Sequence, residues 1–264
     1  MPAMVRTAEI SITPLPAFSD NYLWLLSRDG HAAVVDPGDP APVQRALDER
    51  GLTLDAILVT HHHADHVGGV TALRATRARV YGPRGEDIDG VDVHVGGGDR
   101  VEVLGTPFTV LDVPGHTAGH IAYFTEVLDP PVVFCGDTLF ACGCGRLFEG
   151  TPAQMLDSLE RLAALPATTR VYCAHEYTLA NLRFALAVEP GNTDLQVRAA
   201  AAAATRSRGE PTLPSTIGLE LATNPFMRCD VPAIRYAAAR REKGAESDGV
   251  TTFAALRRWK NVFA

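Results

Sequence analysis

Leu54-Asp55-Ala56-Ile57-Leu58-Val59-Thr60-His61-His62-His63-Ala64-Asp65-His66 is the stretch whose reading decides the fold. Its first seven residues form a compact, largely apolar run, the pattern of a buried strand. The next six place five residues of metal-ligating type in a turn, four of them in a His-x-His-x-Asp-His pattern, and Gly69 to Arg77 then reads as helix. A single surface histidine means little. A His-x-His-x-Asp-His pattern at a strand end is far more specific, because it lets imidazole and carboxylate donors converge on one point.

The same arrangement recurs downstream. His116 lies in Pro114-Gly115-His116-Thr117-Ala118-Gly119-His120 after the apolar run Phe108–Val113. Gly136-Asp137-Thr138 follows Val132–Cys135, and Ala174-His175-Glu176 follows Val171–Cys173. Ligands delivered from several strand ends onto one rim are how a rigid scaffold fixes a site. His62 fills the variable slot of its motif and reads as structural or solvent-facing. His120 reads as a supporting group, and His31 and His94 match no motif.

Outward from these motifs, Tyr22–Ser27, His31–Asp36, Val101–Leu104 and Ile121–Thr125 read as strands, and Ala41–Arg50 and Thr151–Ala164 as helices. After Tyr177 the texture changes to Ala, Arg and Leu, without a convincing strand. Thr178–Val188, Asp194–Arg206, Val231–Lys243 and Thr251–Lys260 read as helices, and Pro211, Pro214 and Pro225 mark a long connection. The expected organisation is a mixed α/β domain over residues 1–176 and a helical domain over 177–264.

Composition narrows the function classes. A chain of 264 residues has room for one large domain, or one of ordinary size and a smaller one. Its 46% hydrophobic and 21% charged residues are those of a soluble globular protein. The net charge of −7 argues against a broad nucleic-acid footprint. Met1 to Ile10 lacks a basic stretch followed by an apolar run, so no export signal is expected. No window approaches the roughly 20 apolar residues of a membrane span. Five cysteines, an odd number (Cys135, Cys142, Cys144, Cys173, Cys229), fit reduced thiols in the cytoplasm. Cys142-Gly143-Cys144 lacks the Cys-x-x-Cys spacing of a zinc ribbon and reads as a buried pair.

In order and spacing, the four ligand motifs resemble the metallo-β-lactamase superfamily. That resemblance implies an αββα sandwich, two β-sheets packed face to face with helices outside. Carried over residue by residue, it gives one metal His61, His63 and His116, gives the other Asp65, His66 and His175, and makes Asp137 the bridge. Asp65 and Asp137 are thereby also the implied catalytic residues, with a hydroxide shared by two divalent metals as nucleophile. Zinc suits this donor set, and so do iron and manganese.

A superfamily fold does not name a reaction. The narrower resemblance is to glyoxalase II, the hydroxyacylglutathione hydrolases. It rests on Ala17-Phe18-Ser19-Asp20-Asn21-Tyr22, Gly143-Cys144-Gly145-Arg146-Leu147-Phe148-Glu149-Gly150, His175-Glu176-Tyr177-Thr178, Asn224-Pro225-Phe226-Met227-Arg228 and the segment Phe253–Phe263. It implies hydrolysis of S-D-lactoylglutathione to glutathione and D-lactate, the second step of methylglyoxal detoxification, by a monomer. The helical domain would cover glutathione, with contacts from Arg146, Phe148, Tyr177 and Arg228. Arg146 stands where some members carry lysine, and Phe148 where some carry tyrosine. The leaving thiolate, with a free-thiol pKa of about 8.5, needs no strong general acid. Rival readings are a mono-iron persulfide dioxygenase of the same fold, an exported β-lactamase and an RNA-processing nuclease. The filled second ligand set, the missing export signal and the acidic charge weigh against them in turn.

Overall fold

Alternation along one strand explains how the chain packs on two sides at once. In the computed structural model, which describes residues 9–263, the first sheet runs β1 (Ser11–Ala17), β2 (Asn21–Arg28), β3 (His31–Val35), β4 (Thr53–Leu58), β5 (Arg79–Pro83), β6 (Val93–Val95) in that spatial order. Residues 1–8 and Ala264 lie outside the description, and with them most of the Met1–Ile10 stretch read for an export signal. In β2, Tyr22, Trp24 and Leu26 enter the core between the sheets, while Leu23 and Leu25 enter a second core beneath the helices. Its near-continuous apolar sequence is that of a strand covered on both faces.

The second sheet contains β7 (Arg100–Val103), β8 (Thr106–Asp112), β9 (Ile121–Thr125) and β10 (Val132–Gly136) as an antiparallel meander. A short ribbon, β11 (Leu139–Phe140) and β12 (Gly143–Cys144), follows before β13 (Arg170–Cys173) adds to β10 in parallel. β14 (Ser215–Thr216) then pairs antiparallel with β13 and closes that edge. Trp24, Leu26 and Leu58 of the first sheet share the core with Phe108, Tyr123 and Phe134 of the second. Trp24 sits edge-on to Tyr172 with centroids 4.8 Å apart and donates its indole N–H to Cys173 O at 2.9 Å.

Outside the first sheet lie α1 (Pro40–Arg50), α2 (Ala64–Val67) and α3 (Val70–Leu73), which bury Val43, Leu47, Val70 and Leu73. Outside the second lies α4 (Pro152–Ala163), started by a capping box between Thr151 and Gln154. The remainder forms α5 (Thr178–Val188), α6 (Thr193–Ser207), α7 (Ile217–Thr223), α8 (Pro232–Ala239) and α9 (Gly249–Asn261). The architecture is therefore the expected sandwich of two sheets flanked by helices, with a helical C-terminal region.

Three local features go beyond the sequence reading or differ from it. β1, to which the sequence reading assigns no element, carries Pro14 and Pro16 and is an edge strand, where proline is tolerated. The C-terminal region does contain a strand, the two-residue β14, too short to show a periodicity. The helix expected over Val231–Lys243 ends at Ala239, because Arg240-Arg241-Glu242-Lys243 offers no apolar face and Gly244 turns the chain at φ +86°.

The helical region is joined to the sheets by a buried polar network. Glu220, fully buried, accepts from Arg198 Nη2 at 2.5 Å, from the Cys142 N–H at 2.8 Å and from Asn224 Nδ2 at 3.0 Å. Asn224 Nδ2 also donates to Gly143 O at 2.9 Å, so α7 holds the β11–β12 ribbon that faces the site.

Candidate metal centre

Every ligand motif lies at the end of a strand or in the turn leading from it. His61 and His63 lie just past β4, and Asp65 and His66 open α2. His116 follows β8, Asp137 follows β10 and His175 follows β13. β10 delivers Asp137 through a register shift at Gly136, where φ is +47° and a Cβ would stand 2.3 Å from Thr60 Oγ1. Only glycine fits that position.

The seven side chains close into overlapping groups: His61, His63 and His116; His61, His66 and Asp137; and Asp65, His66 and His175, each with donor atoms within 4.8 Å of one another. Asp137 faces both sides. Its Oδ2 lies 3.4 Å from His116 Nε2, and its Oδ1 lies 3.4 Å from the Nε2 atoms of His66 and His175. Asp65 Oδ2 lies 3.4 Å from His175 Nε2. His66 Nε2 and Asp137 Oδ1 are buried without a hydrogen-bond partner. A buried polar atom without a partner is costly in a folded protein, and a cation between these atoms would satisfy them. The donor set is one that divalent zinc, iron or manganese accepts, so the residues fit a metal centre.

The rear atoms of the ligands are held as well. His61 Nδ1 donates to Thr60 Oγ1 at 3.1 Å, and that hydroxyl donates to Asp36 Oδ2 at 2.8 Å. His116 Nδ1 donates to Arg146 O at 2.8 Å, and His175 Nδ1 donates to Asp20 Oδ1 at 2.7 Å. Asn21 Nδ2 donates to Asp65 Oδ2 at 3.0 Å. Such contacts fix ring orientation and aim the remaining lone pair inward. His120 belongs to none of the ligand groups. Its Nε2 accepts the Asp137 N–H at 3.1 Å and its Nδ1 lies 3.3 Å from Thr138 Oγ1, so it orients Asp137.

Electrostatics divides the centre. Burial, followed by the neighbouring imidazoles, holds His61 well below the usual histidine range. Burial also lowers His63 and His116. Their lone pairs are thus free at neutral pH. Burial also disfavours a charged His175, but Asp137, Asp65 and Asp20 outweigh it and raise its pKa to about 11. Burial alone would raise Asp137, yet His66, His175 and His116 hold it well below the carboxylate range. All five cysteines are buried and unpaired, and burial pushes each thiol up, Cys142 and Cys173 to about 12, so none supplies a thiolate at neutral pH.

A cleft of about 640 Å³ opens from the ligands. Arg146, Phe148 and Tyr177 line it. Phe148 is exposed, its ring edge-on to His63 and His116 at 5.4 and 5.2 Å, and Tyr177 stacks on His175 with centroids 4.7 Å apart. Arg228 is not brought to this cleft. It binds Glu189 at 2.8 and 3.2 Å and lines a different cavity beside α6 and α8. The structure therefore brings Arg146, Phe148 and Tyr177 together but not Arg228, whose motif contributes Asn224 to the ribbon.

Two cations on α9 reach the cleft as well. Arg257 is buried with Nη1 donating to Cys144 O at 2.8 Å, and half-buried Lys260 lies 3.4 Å from Ala180 O; both line the cleft. The sequence reading missed them. Their only signal is the three-residue spacing that puts two cations on one helix face. Asp20, Asn21 and Asp36 were also missed as ligand-orienting groups.

A cluster of histidine and aspartate at the strand ends of a helix-flanked sandwich defines a metal-dependent hydrolase centre of the metallo-β-lactamase type, and residues 18–175 match the model of the metallo-beta-lactamase superfamily. Residues 176–263 match the model of the hydroxyacylglutathione hydrolase C-terminus. A hydroxyacylglutathione hydrolase of Albidiferax ferrireducens is 55% identical over 96% of this chain and 100% of its own length. Among solved structures, the BLEG-1 B3 metallo-beta-lactamase is 25% identical with a TM-score of 0.63, covering 83% of this chain and 100% of that one. TTHA1623 in a di-iron-bound form is 27% identical with a TM-score of 0.57, covering 82% and 99%. The chain belongs to the hydroxyacylglutathione hydrolase family.

Proposed function

We propose that the chain hydrolyses S-D-lactoylglutathione to glutathione and D-lactate at a centre holding two divalent metal ions. The observation that carries the substrate is a set of cations without carboxylate partners. Among the described residues, Arg146, Arg257 and Lys260 line the cleft and none forms an ion pair. Burial and the neighbouring Arg257, Arg183 and Arg146 depress the pKa of Lys260, the mark of a site short of negative charge. Glutathione brings two carboxylates, and charge-assisted hydrogen bonds are how arginine and lysine hold them.

Two ions fit because the donors form two three-residue sets with Asp137 facing both. Bound there, divalent metals supply a water of lowered pKa and a Lewis acid for the thioester oxygen. The chain's own residues do the rest. Asp137, oriented by His120, holds the attacking oxygen in line. Phe148 screens His63 and His116 from bulk water, and Tyr177 fixes the plane of the His175 ring. Arg257 and Lys260 anchor the remote end of the substrate so that the carbonyl is presented to the centre. Five buried, unpaired thiols fit a reducing compartment such as the cytoplasm.

The test is hydrolysis of S-D-lactoylglutathione by the purified chain with its metal content measured in the same sample. Activity should be abolished by chelation and restored by metal. Oxygen consumption with glutathione persulfide, with no thioester hydrolysis, would overturn the reading.

A further inference from the structure

Between the two turns that supply the tri-histidine group sits a carboxylate that the reaction does not otherwise use. Glu86 lies just past β5, and its side chain is only 3% exposed. Oε1 accepts a short hydrogen bond from Thr117 Oγ1, and Oε2 lies 2.9 Å from His62 Nδ1. Thr117 is the residue after the ligand His116, and His62 stands between the ligands His61 and His63. The approach is made possible by Gly119, where a Cβ would meet Glu86 Cγ at 2.5 Å and Gly85 C at 2.7 Å. The far nitrogen of His62 continues the link, lying 3.3 Å from Glu149 Oε1, while Glu149 Oε2 accepts the Ala118 N–H at 2.7 Å. The loop carrying Arg146 and Phe148 is thereby tied to the same clasp.

We propose that Glu86 is a positioning residue for the His61–His63–His116 half of the metal centre, setting the spacing of its two ligand-bearing turns through His62 and Thr117. An isolated buried carboxylate would need no such role, since its hydrogen bonds alone would satisfy it. Here both partners adjoin ligands of one and the same group. Asp65, His66 and His175 are held instead by Asn21, Asp36 and Asp20, of which Asp36 also reaches His61 through Thr60, and the hydrogen bonds of Glu86 go to none of these. The clasp therefore acts on one half of the centre and not the other. Contacts of this kind are worth about 10- to 100-fold in metal affinity.

The test is a Zn²⁺ titration of the full chain against a chromogenic chelator, with the melting temperature of the metal-free protein measured alongside. Glu86→Ala should weaken one metal equivalent by about 10- to 100-fold and leave the other within roughly threefold. Glu86→Gln should recover most of the loss, because its carbonyl still accepts from Thr117 and its amide can donate to the other His62 tautomer. Thr117→Val, nearly isosteric, removes one arm and carries the same test if the alanine variant does not fold. The visible spectrum of the Co²⁺-loaded protein should change in Glu86→Ala and return towards wild type in Glu86→Gln. Unchanged affinity at both equivalents would overturn the proposal. So would equal weakening of both together with a lower melting temperature of the metal-free protein, which would make Glu86 a support of the fold alone. The proposal rests on the metal-centre reading, and since the titration needs no thioester, failure of the glutathione reading would be seen separately.

Discussion

Replacing Lys260 by methionine removes the charge from the cleft while keeping an apolar stem where Lys260 now passes Phe184, 5.7 Å from ammonium to ring centroid. A charge-assisted hydrogen bond to a substrate carboxylate contributes about 1.5–3 kcal/mol, or roughly 10- to 150-fold in binding at 1.36 kcal/mol per decade. Lys260 is only half-buried, and Arg257 shares the work, so the lower end applies: KM should rise about 10-fold. The turnover number should stay within roughly twofold, because the contact is remote from the reacting carbonyl and is made equally in ground and transition states. Steady-state hydrolysis of S-D-lactoylglutathione reads both constants. The depressed pKa adds a second signature. Wild-type KM should climb on the alkaline side earlier than an ordinary lysine would dictate, as the ammonium is lost, and Lys260→Met should show no such climb. Arg228→Ala is the matched control. It should leave KM within about twofold and lower the melting temperature instead, since Glu189 loses its cationic partner and keeps only Asn192. A tenfold rise in KM for Arg228→Ala with an unaffected Lys260→Met would refute the placement of the substrate.

Elemental analysis of gently purified protein should approach two metal ions per chain, and full activity at one ion with a harmless Asp65→Ala would exclude the dinuclear centre. Asp137→Asn should depress kcat far more than it raises KM, because the residue faces the ligands rather than the cation-lined end of the cleft; an unchanged kcat removes it from the mechanism. In the metal-free chain the carboxylates of Asp137, Asp65 and Asp20 outweigh burial and raise His175 well above the usual histidine range, which favours its protonated form at pH 7, whereas a ligating imidazole must be neutral. Zinc uptake at pH 7 should thus release at least one proton per chain, and affinity should rise with pH. Binding heats in buffers of different ionisation enthalpy measure this, and uptake without proton release would contradict it.

The ligand motifs were legible in the sequence for a physical reason. Each sits at a strand end or in the turn that follows, so local pattern and three-dimensional convergence carry the same information. The α9 cations were not, because Arg257 and Lys260 look like any solvated helix face until the helix is docked against the β12 segment at Cys144. Arg228 misled for the opposite reason. Its motif is demanding, and in the structure it is engaged by Asn224 closing the ribbon and by the ion pair with Glu189. Strand periodicity likewise failed where strands were edge-placed and proline-bearing, as in β1, or two residues long, as in β14.

β14 makes the C-terminal region inseparable from the sheet it flanks. A chain cut near residue 176 would lose more than its cations: the outer side of β13 would be left with bare amides and carbonyls, an open template for another molecule's strand. Phe253 and Leu256 would also be stripped from the core they share with Val171. Removing the C-terminal helices should therefore yield a self-associating fragment rather than a smaller, promiscuous hydrolase. Any loosening of specificity in this scaffold is better sought by exchanging side chains that line the cleft, with β14 left in place.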